Sequence, residues 1–196
     1  MEIVTTHKNT DFDGCASVFA ATLLYPQARP VLPRSLNPNV KGFLSIHKDL
    51  FPYQHPSDID LADVSRLIVV DTNSWERLEQ MDVLRDRRDL EVFLYDHHED
   101  NGSIDPTWFC REDTGATTTL LVDALRRRRK ILTPMQATLF LAGIYEDTGN
   151  LTFPGTTAAD AYAVADLLDR HADLGILETF LRPAYGEKQK DVLFEM

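Results

Sequence analysis

Two five-residue runs, Arg66–Val70 (RLIVV) and Glu91–Tyr95 (EVFLY), each stop on an aspartate, Asp71 and Asp96. RLIVV has four consecutive aliphatic residues, mostly β-branched, and no polar alternation, so it fits a strand covered on both faces. Strands of that kind belong to parallel sheets, whose crossover connections are helices. The rest of the chain supplies the alternation that such a sheet needs. Further strands are expected at Glu2–Thr6 and Arg29–Leu32, and helices at Gly14–Tyr25, Val40–His47, Trp75–Leu84, Ala116–Arg128, Pro134–Tyr145 and Ala158–Asp169. Pro134 behind Thr133 marks one helix start, with the threonine as N-cap. The expected fold is therefore α/β, a parallel β-sheet flanked by helices.

Four places combine acids or histidines with the end of a hydrophobic segment. They are His7–Gly14 (HKNTDFDG), Asp71-Thr72-Asn73, Asp96-His97-His98, and Gly143–Gly149 (GIYEDTG). In an open parallel sheet all strand C-termini point to one edge, and ligands bind there. Three of the four clusters converge on that edge by topology. Taken singly, each has an ordinary explanation: Asp71 as a turn residue, Asp11 and Asp13 as anions near a helix N-terminus, Asp147 as a turn former. Taken together, four such placements of ligand-type residues point to one site.

The composition is consistent with a cation site. The chain has 31 Asp and Glu against 20 Lys and Arg, a formal charge of −11, which argues against a general duplex-DNA or membrane-surface binder. Carboxylates with a few imidazoles and no thiolate suit hard or borderline ions such as Mn²⁺ or Mg²⁺. Asp11, Asp13, Asp71 and Asp147 carry the charge to balance two divalent ions, and an ion pair of that kind clamps a phosphoryl group and activates water. Cys15 and Cys110 form no CxxC pattern, which makes a disulfide framework or zinc ribbon unexpected and a cytoplasmic location the expectation. No signal peptide or membrane-length apolar stretch is expected.

HKNTDFDG, DTN, DHH and GIYEDTG, in this order and at these separations, resemble the signature motifs of the DHH phosphoesterase superfamily. That group includes RecJ-type exonucleases, oligoribonucleases, family II pyrophosphatases and exopolyphosphatases. The resemblance implies that His7 and Asp11 bind one metal, that Asp13, His97 and Asp147 bind a second, and that Asp71 bridges them. It assigns His98 to the substrate phosphate, Asp96 to orienting an imidazole, and a bridging hydroxide to nucleophilic attack, with two Mn²⁺ or Mg²⁺ per chain. The alternation of a strand would put His97 and His98 on opposite faces. HKNTDFDGCASVFAATLLYP and LPRSLNPNVKGFLSIHKDLFP are also similar to the DHH domain that precedes CBS domains and an RNA nucleotidyltransferase module in some bacterial proteins, often labelled exopolyphosphatase-related. The usual proline before the first motif's aspartate is Thr10 here, and no GGGH-type stretch of the family's second domain occurs.

The resemblance thus implies a phosphoesterase acting on nucleotides or short oligonucleotides. Phosphoanhydrides such as pyrophosphate or polyphosphate, and a regulatory metal-binding role within a larger RNA-modifying chain, remain the alternatives. Residues 1–185 are expected to form the DHH domain, and residues 186–196, which include EKQKDVLFEM, to begin a linker or helix toward a further region. Arg126–Lys130 (RRRRK) reads as a solvated helix end or as an RNA-contacting patch; Arg34 and Arg111 are candidate phosphate contacts.

Overall fold

A computed structural model of the chain describes residues 1–98 and 102–181. Five strands, β1 (Glu2–Thr5), β2 (Ala28–Pro30), β3 (Arg66–Val70), β4 (Glu91–Tyr95) and β5 (Trp108–Cys110), form one sheet in the order β2-β1-β3-β4-β5. Every neighbouring pair is parallel. The helices are α1 (Phe12–Leu24), α2 (Pro38–Ile46), α3 (Thr117–Arg127), α4 (Pro134–Thr148), α5 (Ala158–Asp169) and α6 (Leu174–Leu181). The parallel α/β architecture is the one expected. Glu99, Asp100, the Glu187–Met196 segment and the boundary at residue 185 lie outside the described residues.

The apolar run of β3 divides between the two faces with the two-residue period of a strand. Ile68 and Val70 join a core with α1, α3 and α4, whereas Leu67 and Val69 join a second one with Trp75, Leu78, Met81 and Leu84. Those four residues recur every third position, within the segment Trp75–Leu84 expected to be a helix. The structure has instead two 3₁₀ turns, Trp75–Arg77 and Asp82–Leu84. Gln80 between them has φ +58°, a left-handed conformation that ends any right-handed helix. The short strand β5 and helix α6 were not anticipated.

Helix α1 is buried on nearly every side, so it needs no polar face. It starts where Asp11 accepts a hydrogen bond from the Gly14 N–H at 3.0 Å. Helix α4 is delimited at both ends: Thr133 and Gln136 form a reciprocal capping box, and Gly149 closes it in the left-handed conformation at φ +55°. It runs three residues beyond the expected Tyr145, which brings Asp147 into its last turn. Where α1, α3 and α4 meet, a Cβ on Gly143 would lie 2.7 Å from Thr118 Oγ1 and 3.1 Å from the Phe12 carbonyl oxygen, so only glycine allows this approach. Among the described residues, no helix is long and apolar enough to cross a membrane.

Candidate metal centre

Strand order reverses at β1: β2 lies on one side and β3 on the other, leaving a crevice beyond the C-termini of β1 and β3. His7 follows β1 and Asp71 follows β3, and their side chains meet there with Nε2 3.2 Å from Oδ2. Asp11, the N-cap of α1, brings Oδ1 to 3.5 Å from the same Nε2. On the other side, His97 follows β4 with its Nε2 3.7 Å from Asp71 Oδ1 and 3.4 Å from Asp147 Oδ2. The two oxygens of Asp71 therefore face two different imidazoles.

The rings are oriented for cation binding. His7 Nδ1 lies 2.8 Å from the Lys8 carbonyl oxygen and His97 Nδ1 3.2 Å from that of Thr114. A proton on each Nδ1 donates to its carbonyl and leaves Nε2 with a free lone pair directed at the carboxylates. His97 Nε2 is buried and has no hydrogen-bond partner, as are Thr6 Oγ1, Thr72 Oγ1 and Asp96 Oδ2. An unsatisfied buried polar atom costs about 1–3 kcal/mol, and all four belong to the cluster or sit beside it in sequence. Ligands about 2.1 Å from an octahedral ion stand about 3 Å apart, close to the 3.2–3.7 Å spacings seen here. Potential ligand atoms of His7, Asp11 and Asp71 lie within 4.8 Å of one another, as do those of Asp13, Asp71, His97 and Asp147. The donor set and its spacing thus fit divalent ions. Among the described residues, His47, His55 and His171 belong to none of these groups.

Asp13 is fully buried, and its carboxylate is fixed by the start of α3: Thr117 N–H donates to Oδ2 at 2.7 Å and Thr118 N–H to Oδ1 at 2.8 Å. The N-cap residue of α3 is Ala116, which has no side-chain acceptor, so an aspartate from α1 replaces the missing cap. The Thr117 hydroxyl also donates to Asp71 Oδ1 at 3.0 Å. Nothing local in the sequence marks this link, because the threonine run suits an ordinary helix start equally well. Glu146 carries no local signal either: it accepts from the Phe12 N–H at the start of α1. Gly14 lets α1 approach the cluster, since a Cβ there would be 2.7 Å from Thr6 Oγ1 and 3.0 Å from His7 Nε2. Asp71 has φ +60°, a conformation costing an aspartate about 1–3 kcal/mol.

The electrostatics are those of too many acids in too little water. Burial, with the Asp71 and Asp147 charges, pushes the Asp13 carboxyl well above its usual range. Burial likewise raises Asp147, and raises Glu146 to about 7 with help from Asp11 and Asp147. Burial opposes protonation of His7, but its contacts with Asp11 and Asp71 outweigh that and lift its pKa to about 10. His97 rises to about 9 in the same way, through Asp147 and Asp71. Without a cation the cluster holds protons in its place.

His97 and His98 do not point to opposite faces. Their ring centroids are 4.5 Å apart, because residues 96–98 have already left the strand and the alternation no longer applies. His98 Nδ1 lies 2.7 Å from Oδ1 of the fully buried Asp96, whose carboxylate raises the imidazole pKa. Potential ligand atoms of Asp71, His97 and His98 also come within 4.8 Å of one another. Beside His97, a cleft of about 300 Å³ is lined by Arg111, Glu112 and Asp113. Arg34, the other arginine considered, donates to Ser57 on an exposed surface.

The profile described as the DHH family, N-terminal domain, matches residues 2–144. The chain is 36% identical over its whole length to an A-adding tRNA nucleotidyltransferase of Geobacter sulfurreducens, of which it covers 22%. It is 26% identical to a probable manganese-dependent inorganic pyrophosphatase of Brevibacillus brevis, over 86% of this chain and 54% of that one. It is 28% identical to a bifunctional oligoribonuclease and PAP phosphatase of Mycoplasma genitalium, over 58% of this chain and 36% of that one. Among solved structures, an exopolyphosphatase-related protein from Bacteroides fragilis superposes with a TM-score of 0.78 at 16% identity, covering 98% of this chain and 59% of that one. A putative family II inorganic pyrophosphatase from Methanococcus jannaschii does so at 0.71 and 25% identity, covering 92% and 58%.

Proposed function

The chain belongs to the DHH family, and from that premise we propose that it is a divalent-metal phosphoesterase hydrolysing phosphodiester bonds of nucleotides or short oligonucleotides. His7 and Asp11 would hold one Mn²⁺ or Mg²⁺, Asp13, His97 and Asp147 would hold a second, and Asp71 would serve both. The observation that carries this reading is the position of Asp71, whose Oδ2 faces His7 and whose Oδ1 faces His97. When bound, the ions supply Lewis acidity that polarises the phosphoryl oxygens and lets water attack at neutral pH.

The chain's own groups do the rest. Asp96 keeps the proton of His98 on Nδ1 and favours the imidazolium, so Nε2 carries a proton that it can donate to the leaving oxygen. The amides of Thr117 and Thr118 hold the Asp13 carboxylate in place, and the Thr117 hydroxyl holds that of Asp71. The reading on phosphoanhydrides draws on the name of the Brevibacillus relative, the phosphodiester reading on the oligoribonuclease. A hydrolysis panel with Mn²⁺, comparing a diribonucleotide, pyrophosphate and polyphosphate, decides between them; turnover of none of these refutes the enzymatic reading. In the same panel His98→Asn should lower kcat by about 10²–10⁴-fold and leave the Mn²⁺ content unchanged, and an unaffected kcat would remove His98 from the chemistry.

A further inference from the structure

Beside the metal centre, α3 and α5 diverge around a pocket of about 140 Å³. Its floor is apolar, with Leu120 from α3 and Ala163 from α5. Ala159, one turn before Ala163, also lines it, and these two short side chains leave the space open. On the rim stands Tyr162, a residue 71% exposed, with the exposed side chains of Arg126 and Arg127 opposite. The volume is well below the ~300–1,000 Å³ of a whole-ligand site, and suits one planar ring. Glu112 lines both this pocket and the cleft that holds His97, so the two adjoin.

Two arginines at this rim are available to a polyanion. In a chain of net charge −11, Arg126–Lys130 is a run of five consecutive basic residues, and it ends α3 at this rim. Arg126 and Arg127 pair with Asp123 in exposed contacts, which are weak and readily exchanged for phosphate. Among the lining residues Glu112 and Asp123 equal Arg126 and Arg127 in number, so an anion is held only where the arginines exchange Asp123 for phosphate.

We propose that this groove is a single-stranded RNA track leading to the metal centre, in which a base stacks on Tyr162 and Arg126 and Arg127 hold the phosphates beside it. An aromatic platform flanked by cations is the usual chemistry of sequence-tolerant single-strand binding. The inference rests on the phosphodiester reading, and it places the recognition of strand length outside the metal cluster.

Fluorescence anisotropy with labelled octa-adenylate (rA8), measured in Ca²⁺ over a salt series and beside a labelled dinucleotide, tests it on the full chain. Tyr162→Ala should weaken rA8 binding about tenfold, and Ala159→Leu, which fills the pocket, should do the same. The double variant Arg126→Ala/Arg127→Ala should lower the slope of log affinity against log salt by about 1.4, at ~0.7 per phosphate contact. Dinucleotide binding and Mn²⁺ content should be unchanged in all three. Wild-type affinity and slope in all three variants would overturn the track, as would the absence of rA8 binding at low salt. Hydrolysis of the dinucleotide together with variant-insensitive rA8 binding defeats the track alone. Groove-dependent rA8 binding without hydrolysis of any nucleotide defeats the phosphodiesterase reading and supports the track.

Discussion

Thr117 provides the cleanest test of how the fold sets metal affinity. It is fully buried, its hydroxyl donates to Asp71 Oδ1 at 3.0 Å, and its N–H donates to Asp13 Oδ2 at 2.7 Å. Thr117→Val keeps the shape, the β-branch and the backbone N–H, so only the hydroxyl bond to Asp71 is lost. A hydrogen bond to a charged acceptor is worth about 1.5–3 kcal/mol. Loss of a partner that orients a metal ligand lowers metal affinity about 10–100-fold, or ~1.4–2.8 kcal/mol. The two ranges agree, so the Kd for Mn²⁺ should rise by one to two orders of magnitude. Titration calorimetry measures this directly, and Thr117→Ser, which restores the donor, should recover most of the affinity. Mn²⁺ binding by Thr117→Val with the wild-type Kd would show that Asp71 needs no support from α3, and the reasoning would fail.

Asp71→Asn removes the charge that both imidazoles face; Mn²⁺ stoichiometry by atomic absorption should fall below two and turnover should vanish, and two tightly held ions in that variant would disprove the shared-ligand role. The ion-free protein should lose stability as pH rises. His7 and His97, with ordinary values of 6.5, are raised to about 10 and about 9 in the folded state, and Glu146 rises from 4.5 to about 7. In each case the folded chain binds more protons than the unfolded one, so stability falls with pH wherever they differ. The histidine contribution is complete below about pH 6.5 and is lost as pH passes through 9 to 10. Calorimetric Tm without metal should decline from about pH 6 to about pH 9.5, and saturating Mn²⁺ should flatten the decline; a flat or rising metal-free Tm would contradict these shifts.

Much of the site was legible because its residues end segments whose hydrophobicity is easy to read. His7, Asp71 and His97 follow β1, β3 and β4, and parallel topology alone carries such residues to one edge. Asp147 was legible as a candidate, though it lies inside the last turn of α4 and not after it. What escaped depends on contacts between distant segments. Asp13 caps α3 across 104 positions, and the local signal was only a deficiency, an alanine where a helix start favours Ser, Thr, Asp or Asn. Glu146 looked like another acid near a helix end; its bond to the Phe12 N–H spans 134 positions. The His97–His98 geometry failed for a local reason, since the strand rule stops where β4 stops. Trp75–Leu84 failed because a three-residue apolar spacing is met equally well by 3₁₀ turns packed on the sheet.

On the proposed reading, these parts predict that metal binding and folding are coupled in this chain. The candidate ligands come from β1, β3 and β4, the start of α1 and the end of α4, so an ion there ties together elements spread over residues 7–147. Without it, several features oppose the fold. Glu146 and Asp147 occupy the last turn of α4, where the helix dipole disfavours anions and that turn itself carries no basic residue. Asp13 is buried among other carboxylates, and Asp71 has a strained backbone. A divalent ion reverses the first two effects and gives the unpartnered His97 Nε2 a partner. Linkage then stabilises the fold by about 2.7 kcal/mol at a free-ion concentration of 100 Kd. The repulsion in the ion-free chain therefore has one source: carboxylates numerous enough to bind cations tightly cannot also be at ease without them.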